Sequence, residues 1–222
     1  MDRGSLAGQA FLLFMNEAEA EPPAPLFALL APGQQERAAR FRKPLRRSQH
    51  VWSRLLVLIL ARRLSRALGA ESFTIEERPP ESPAIRIGER VFFTSVSHSA
   101  NRVACLAASE PCAIDIERFD ASRDFSRYAQ TAFSKETAAS LARESDAASS
   151  FYRAWGAYEC AVKLSRPRDF AWDEEAHDPK VRGFRVETRI GDGWSRVTAL
   201  PPGIASVVEE TLSAAAIEKA LL

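Results

Sequence analysis

A long segment with helical periodicity, residues 48–68, constrains the fold of this 222-residue chain more than any other feature. Its apolar side chains recur three and four residues apart: Val51, Leu55, Leu58 and Ala61, with Trp52, Leu56 and Ile59 beside them. So broad an apolar face has to pack inward, away from water. Gly69 follows as a residue suited to end the helix. The segment therefore predicts a long core helix in the first half of the chain.

The rest of the chain alternates irregularly between strand-like and helix-like segments. Strands are predicted over residues 10–15, 73–77, 91–96, 102–109, 112–117 and 205–209, with a hairpin over residues 183–198. Helices are predicted over residues 32–41, 134–143, 150–164 and 214–222. Pro79, Pro80 and Pro83 predict a loop. Because no regular strand–helix–strand order emerges, the pattern favours an α+β fold.

A turn at Glu110 and Pro111 marks the predicted domain boundary. It divides the chain into an N-terminal half, residues 1–109, and a C-terminal half, residues 110–222. Each half is the size of one small domain. The sequence therefore predicts two domains of similar size.

The composition excludes several classes of protein. The chain carries 30 Lys and Arg against 29 Asp and Glu, so its total charge identifies no partner. Its three cysteines lack metal or redox spacing and indicate a reducing compartment. The longest apolar run, residues 55–61, is far shorter than the ~20 residues that cross a bilayer. Residues 1–16 also make a poor signal peptide, and a cytoplasmic protein without membrane contact is predicted.

Local charge is less even than the total. Residues 37–66 contain ten Lys and Arg and no Asp or Glu. Such a block favours phosphate groups or an acidic protein surface as partner. Nucleic acid is the competing partner, but the near-neutral total and the apolar face within the block argue against it. Solvated helix surface accounts for at least half of these side chains.

Two carboxylates stand two residues apart in the predicted strand 112–117. Because side chains alternate along a strand, Asp115 and Glu117 share one face, and Ile114 and Ile116 point into the core. Neighbouring carboxylates repel each other unless they are solvated, protonated or bridged by a cation, and Mg²⁺ would bridge them well. A solvated strand face is the simpler interpretation of so short a motif.

Two further segments carry candidate functional groups. Trp155, Glu159 and Lys163 lie four residues apart and therefore on one face of the predicted helix. A surface Glu–Lys pair explains the two charges, although the tryptophan indicates that part of this face is covered. Ser97, His98 and Ser99 follow an apolar strand, where hydroxyl and N–H groups suit a phosphate, with a loop histidine as the alternative. His50 is interpreted as an ordinary helix-face residue.

The order and spacing of these segments resemble the 4′-phosphopantetheinyl transferase superfamily, in its long, surfactin-synthetase-activating type. That family carries Ser-His-Ser, Gly-Ile-Asp-x-Glu and Trp-x-x-Lys-Glu-x-x-x-Lys segments in this order. Here they stand at residues 97–99, at residues 113–117 as Ala-Ile-Asp-Ile-Glu, and at residues 155–163 as Trp-Gly-Ala-Tyr-Glu-Cys-Ala-Val-Lys. An Arg-rich segment ending in Arg40-Phe41 and a Phe-Ser-Lys-Glu-Thr segment complete the series. The resemblance covers residues 34–170.

The resemblance implies a fold, an activity and partners. The fold would be two similar α+β subdomains in a pseudo-twofold arrangement, with the active site in the cleft between them, in a monomer. The activity would be Mg²⁺-dependent transfer of phosphopantetheine from coenzyme A to a serine of an acyl, polyketide or peptidyl carrier protein, releasing adenosine 3′,5′-bisphosphate. Fatty-acid, polyketide and nonribosomal peptide biosynthesis all remain open as the pathway.

The resemblance also implies residue roles. Asp115, Glu117 and Glu159 would hold Mg²⁺, with Glu159 as base for the serine proton and Lys163 neutralising phosphate charge. The substrate-binding positions implied for coenzyme A, including its 3′-phosphate, are Arg37, Arg47, Arg54, Ser97, His98 and Lys163. Arg37 fits a family basic position best, and the next basic position falls at Arg46, Arg47 or Gln49.

The sequence departs from the family pattern at four places, which reduces the number of predicted contacts to coenzyme A. Tyr158 stands where the family has a lysine, and its phenol is uncharged at neutral pH. Ala100 and Ala113 replace common glycines, and Ser82-Pro83 replaces a Gly-Lys-Pro segment. The three acidic positions are intact, so an active enzyme with altered carrier preference or weaker coenzyme A affinity is expected.

Three alternative functions compete with this prediction. The first alternative is a non-catalytic module of the same fold that binds coenzyme A or a carrier protein. The feature that favours it is Tyr158. The second alternative is a protein that binds nucleic acid through the basic block of residues 37–66, with an affinity that would fall steeply as the salt concentration rises. A metal-dependent phosphohydrolase lacks a second cluster of metal-ligating residues in the sequence.

Overall fold

The computed structural model describes residue 6 and residues 8–77 and 82–222, and the chain separates into two compact units. The first unit comprises Met1–Cys112 together with Gly203–Leu222, and the second comprises Ala113–Pro202. The first unit thus includes the last twenty residues, which the division at residues 109 and 110 placed in the C-terminal half. Pro79 and Pro80 lie outside the described residues.

The described elements mix strands and helices, as an α+β fold requires. In chain order they are β1 (Gln9–Met15), α1 (Ala24–Ala28), α2 (Pro32–Ala39), α3 (Pro44–Leu68), β2 (Thr74–Glu76), β3 (Ala84–Ile87), β4 (Arg90–Ser99), β5 (Arg102–Ala108), β6 (Ala113–Arg118), α4 (Phe125–Ala132), α5 (Lys135–Leu141), α6 (Ala147–Lys163), β7 (Phe170–Asp173), β8 (Asp178–Val181), β9 (Arg185–Gly191), β10 (Trp194–Leu200), β11 (Ser206–Leu212) and α7 (Ala214–Leu221).

The first unit is built on a six-stranded sheet of order β11-β1-β5-β4-β3-β2. Its neighbouring strands run antiparallel except for β11, which pairs parallel with β1 and places Ser206 opposite Gln9. Helix α3 packs on this sheet, mainly over β5. The core of the unit lies between α3 and the sheet and includes Trp52, Leu55, Leu56 and Ile59.

Helix α3 confirms the long core helix that the sequence predicts, and it begins four residues earlier. Pro44 is its first residue, a position where the missing N–H of proline costs nothing because that group has no helical partner. Gly69 ends the helix in the left-handed conformation, with a φ of 66°. The indole of Trp52 is fully buried and donates a hydrogen bond to the Ala20 carbonyl at 2.8 Å. The helix is therefore fixed at both ends and along its buried face.

The second unit combines a three-stranded antiparallel sheet, β6-β10-β9, with a two-stranded ribbon, β7-β8. Helix α6 packs across β6 and β10, and Ala113, Ala157, Cys160 and Val197 form the core between them. Asp146 caps α6, where its carboxylate accepts a hydrogen bond from the Ser149 backbone N–H at 3.0 Å. The unit thus rests one long helix on the strand that carries the two predicted carboxylates.

Several elements differ from those that the sequence pattern predicts. Helix α4 and the strands β3, β7 and β8 lie in segments where no element was expected, because each is only four to eight residues long and too short to show a period. Strand β4 continues through Ser99, so the Ser-His-Ser segment belongs to the strand and does not follow it.

All three cysteines are free and buried. None of the helices in the described ranges combines the length and the apolar character that a membrane span needs.

Candidate functional site

Strand β6 presents its carboxylates to helix α6. Asp115 lies opposite Val197 in the pairing with β10, and its side chain is almost fully buried, with a relative exposure of 6%. A Cβ atom built on Gly156 of α6 would stand 3.8 Å from Asp115 Oδ2, so the helix passes directly over this carboxylate. Ile114 and Ile116 are also buried. Both faces of β6 are therefore covered, which excludes the solvated strand face.

Lys163, the last residue of α6, supplies a cation to the buried carboxylate. Its Nζ donates to Asp115 Oδ1 at 2.9 Å and to the Ile114 carbonyl at 2.8 Å. Burial is the largest single influence and lowers the pKa of Lys163, but the charge and the hydrogen bond of Asp115, together with Cys160 and Glu159, outweigh it and hold the pKa above the usual lysine value. Lys163 is thus charged and tied to β6, and Asp115 is neutralised where it stands.

Glu159, one turn before Lys163, lies half-buried on the same side of α6. Burial raises the pKa of its carboxyl, the charge of Asp115 raises it further, and Lys163 opposes the shift. The influence of Asp115 on this pKa means that the two carboxyl groups sense each other's charge. A carboxylate with a raised pKa is a better proton acceptor than an ordinary glutamate, as a general base requires.

Gly156 allows this close approach, and sequence analysis did not single it out. An added Cβ would lie 2.4 Å from Val197 Cγ2 and 2.9 Å from Val197 Cβ, which β10 holds in place. Any larger residue would push α6 away from β6 and separate Asp115 from Lys163. The sequence signal was present, because a glycine inside an otherwise regular helix commonly marks a close contact.

Trp155 and Tyr158 occupy the neighbouring part of α6. The Trp155 indole N–H donates a long hydrogen bond, 3.4 Å, to Glu117 Oε1 and so connects the second carboxylate of β6 to the helix. Tyr158 lies instead among aromatic rings, with centroid distances of 5.8 Å to Phe133 and 5.7 Å to Phe170. The residue that departs from the family pattern therefore has a packing role in this structure.

The carboxylates of this unit are hard oxygen donors, the type that Mg²⁺ prefers. In the residues that the structure describes, however, no three or more His, Cys, Asp or Glu side chains are grouped to hold a metal ion. Lys163 takes the position of a cation against Asp115, and Glu159 stands near enough to respond to the same charge. The described residues therefore do not form a grouped metal site, and a Mg²⁺ site at Asp115, Glu117 and Glu159 stays a prediction.

The first unit contains a cavity of about 340 Å³ with a strongly cationic lining. Its lining residues come from α2, α3 and β4 and the segments beside them: Arg37, Phe41, Arg46, His50, Ser53, Arg54, Ser82, Val96 and His98. Arg46, His50 and Arg54 share one face of α3, because they are four residues apart. Three arginines and two histidines around one small cavity make it suited to an anion.

Arg46 and His98 meet at this cavity. The Arg46 guanidinium donates to His98 Nδ1 at 2.9 Å and to Gln49 Oε1 at 3.2 Å. Because a guanidinium only donates, His98 accepts this hydrogen bond at Nδ1. Gln49 in turn donates to the carbonyl of Ala100, which has a φ of 45° in the left-handed region. Ala100 therefore adopts the conformation for which the family's glycine is better suited.

Arg54 is the most deeply placed cation of the cavity, with a relative exposure of 8%. Its Nε lies 3.0 Å from Glu77 Oε1, and Glu77 also accepts a hydrogen bond from Gln34 at 2.7 Å. Glu77 offsets one of the three arginine charges and leaves the cavity positive.

His50 is the second residue that sequence analysis missed. Its relative exposure is 6%, it packs against the Phe41 ring at 5.4 Å, and its Nε2 has no hydrogen-bond partner among the described residues. Burial, followed by the charges of Arg54 and Arg37, lowers the pKa of His50 to about 4. The four-residue spacing from Arg46 and to Arg54 was the signal that would have found it.

The remaining predicted contacts divide between this cavity and other places. Arg37, Arg54 and His98 line it. Arg47 instead stands 3.8 Å from Glu21 and over the Phe27 ring, so Arg46 and not Arg47 is the arginine that the cavity favours. Ser97 lies between Val96 and His98 on β4 and so points to the opposite face of the sheet. It is not among the described residues that line the cavity.

Comparison of the chain with protein-family models found no matching family, and comparison with curated proteins found no match either.

Proposed function

We propose that this protein is a Mg²⁺-dependent 4′-phosphopantetheinyl transferase. It moves phosphopantetheine from coenzyme A to a serine of an acyl, polyketide or peptidyl carrier protein. The observation that carries the proposal is the set of groups on β6 and α6: a buried Asp115 held by Lys163, with Glu159 close enough to be affected by the same charge. The cationic cavity of the first unit is the second support, because coenzyme A carries a 3′-phosphate.

The proposed chemistry is a phosphoryl transfer, which depends on positioning and on charge neutralisation. The serine oxygen forms a bond to the pantetheine-side phosphorus, and the bond from that phosphorus to the bridging oxygen breaks. Adenosine 3′,5′-bisphosphate leaves with that oxygen. Glu159 accepts the serine proton, directly or through a water. Mg²⁺, when held by Asp115, Glu117 and Glu159, would withdraw charge from the pyrophosphate.

Lys163 has two roles in this proposal. It forms an ion pair with Asp115 at a nearly buried position, where a carboxylate without a cation beside it would be costly. Its ammonium is also the cation on this face of α6 that would offset charge on the pyrophosphate or on the leaving group. Both roles require that α6 lie as close to β6 as Gly156 permits.

The cavity of the first unit would bind the 3′-phosphate through Arg37, Arg46 and Arg54, with His98 beside them. Charge-assisted hydrogen bonds from guanidinium groups are the strongest that a phosphate accepts. The proposal includes the arrangement that the resemblance implies: two related α+β halves with the active site in the cleft between them, acting as a monomer in the cytoplasm.

The decisive experiment is transfer to a carrier domain. The protein is incubated with coenzyme A, MgCl₂ and several carrier domains, and the mass of each carrier domain is then measured by mass spectrometry. Gain of one phosphopantetheine group, loss of that gain in EDTA and its return with Mg²⁺ are expected. No gain on any carrier that a control transferase modifies would overturn the proposal. Binding of coenzyme A without transfer would point to the non-catalytic module.

A further inference from the structure

A second cavity of the first unit, of about 540 Å³, is lined mainly by the C-terminal part of α3 and by strands β1 and β11. On the helix, Leu60, Leu64 and Ala67 line it, and they share one face because they lie three and four residues apart. This apolar cavity has the size of a small-molecule binding site.

The sheet side of the apolar cavity follows from the parallel pairing of β1 with β11. Phe11 lies opposite Val208 and Leu13 opposite Glu210, and the alternation of side chains places all four on one face of the sheet. Helix α3 packs mainly over β5, so this end of the sheet is less well covered. Val208 is accordingly 45% exposed, although it is apolar.

The lining shows which part of a ligand the apolar cavity can bury. Among the described residues that line it, the polar side chains are Arg63, Arg66 and Glu210, and all the others are apolar. A polar group buried there without a partner would be costly, so the enclosed part of a ligand has to be apolar. The stripe from residue 60 to residue 67 is about 10 Å long, which suits an unbranched alkyl chain.

The three charged side chains leave one positive charge unbalanced. Arg63 and Glu210 form a two-point ion pair between α3 and β11, with distances of 2.5 Å and 3.3 Å. Arg66 is exposed and forms no ion pair with any of the described residues. Because Glu210 offsets Arg63, the charge of Arg66 remains, and it is complementary to a single negative charge.

We propose that the apolar cavity binds the anion of a medium-chain fatty acid, with the alkyl chain between α3 and the sheet and the carboxylate at Arg66. Glu210 disfavours a head group with two negative charges. A second copy paired through the edge strand β11 is also disfavoured, because Glu209 and Glu210 are exposed there and would meet their own counterparts. The site lies within the first unit and does not rest on the proposed transferase.

The first test is a methyl NMR titration of the unmodified protein with decanoate, below the concentration at which decanoate forms micelles. Saturable shifts are expected for the methyl groups of Leu13, Leu60, Leu64 and Val208, and none for Val197 in the second unit. Absence of shifts in the four lining residues would overturn the proposal. A dimer that decanoate does not bind would also overturn it, because a second copy would then cover the cavity.

Calorimetry tests the role of the charge. Decanoate should bind at least about tenfold more tightly than decylammonium, because the charge that attracts a carboxylate repels an ammonium group. Arg66→Gln should reduce this preference to about twofold or less. Arg47→Gln, on the same helix but against Glu21, should retain it. Equal affinities of the unmodified protein for the two ligands would overturn the proposal.

A second pair of variants tests the position of the alkyl chain. Val208→Glu adds an acid to the lining at an exposed position and should weaken decanoate binding by at least about tenfold. Thr211→Glu adds the same charge to the other face of β11, where Thr211 is exposed, and should change the affinity by about twofold or less. Equal losses in the two variants would mean that decanoate does not enter the apolar cavity.

Discussion

The first unit gathers cations around a cavity, whereas the second unit gathers carboxylates around a lysine. In the cavity, Glu77 offsets one of three arginines and an excess of positive charge remains. Between β6 and α6, Lys163 offsets Asp115, and the charge of Glu159 remains half-buried beside them. The cavity thus keeps unbalanced positive charge and suits an anion, whereas the groups between β6 and α6 keep unbalanced negative charge and suit a cation.

The near-zero net charge of the chain conceals this difference. The ten positive residues of the block 37–66 are balanced in the total by acidic residues elsewhere in the chain, and the acidic residues Asp115, Glu117 and Glu159 lie in the other unit. Electrostatic function is therefore a property of each unit, and substitutions in one unit should leave the function of the other unchanged.

Glu159→Gln should have the largest effect, a fall in the rate of carrier modification of about 10²- to 10⁴-fold, because a positioned base contributes that much. Affinity for coenzyme A, which the cationic cavity supplies, should change little. The two quantities are measured by carrier mass gain over time and by calorimetry. Glu175→Gln, at an exposed position of the same unit, is the control and should retain full activity. A variant as active as the control would remove Glu159 as the base.

Arg46→Gln should weaken coenzyme A binding by about 10- to 100-fold, because a hydrogen bond to a charged group contributes about 1.5–3 kcal/mol. Dephospho-coenzyme A, which lacks the 3′-phosphate, should bind the variant and the unmodified protein equally.

The matched control for this comparison is the adjacent Arg47→Gln, since Arg47 stands against Glu21 and Phe27. Calorimetry should show at most a twofold change. Equal losses for the two variants would mean that the block acts as diffuse positive charge and not as a specific site.

Gly156→Ala should lower the free energy of unfolding by about 1–3 kcal/mol, because the new methyl overlaps Val197 in a packed interior. Carrier modification should fall further than stability explains, since α6 must move away from Asp115. Gly191→Ala is the control, because a Cβ at Gly191 meets nothing within 4 Å. Urea unfolding measures the stabilities, and equal values for the two variants would contradict the close approach of α6 and β6.

A smaller effect concerns the pH dependence of stability. The pKa of Glu159 is raised in the folded protein, so its ionisation opposes folding. Glu159→Gln should therefore be more stable than the unmodified protein at pH 7, by a small amount because solvent screens a half-buried group. The difference should vanish below pH 4, where the unfolded chain is also protonated. Unfolding curves at both pH values check this, and a variant less stable at pH 7 would show a favourable interaction of the charge.

Periodicity located the acidic groups well and the cationic ones less well. Asp115 and Glu117 share a face because a strand has a period of two, and Glu159 and Lys163 share a face because a helix has a period of 3.6. The cavity instead collects side chains from two helices and a strand, so no spacing along one element found His50. The family resemblance implied Arg37 and His98 as binding positions, and it left the next basic position open between Arg46, Arg47 and Gln49.

Local periods of apolar and polar residues predict the α+β character, the core helix α3, the strand β6 and the face of α6 that carries Glu159 and Lys163. No such period predicts that Lys163 neutralises Asp115, that His50 lines a cavity together with arginines, or that β11 pairs with β1 at the other end of the chain. These contacts join residues far apart in sequence, so they arise only when the chain folds and brings those residues together.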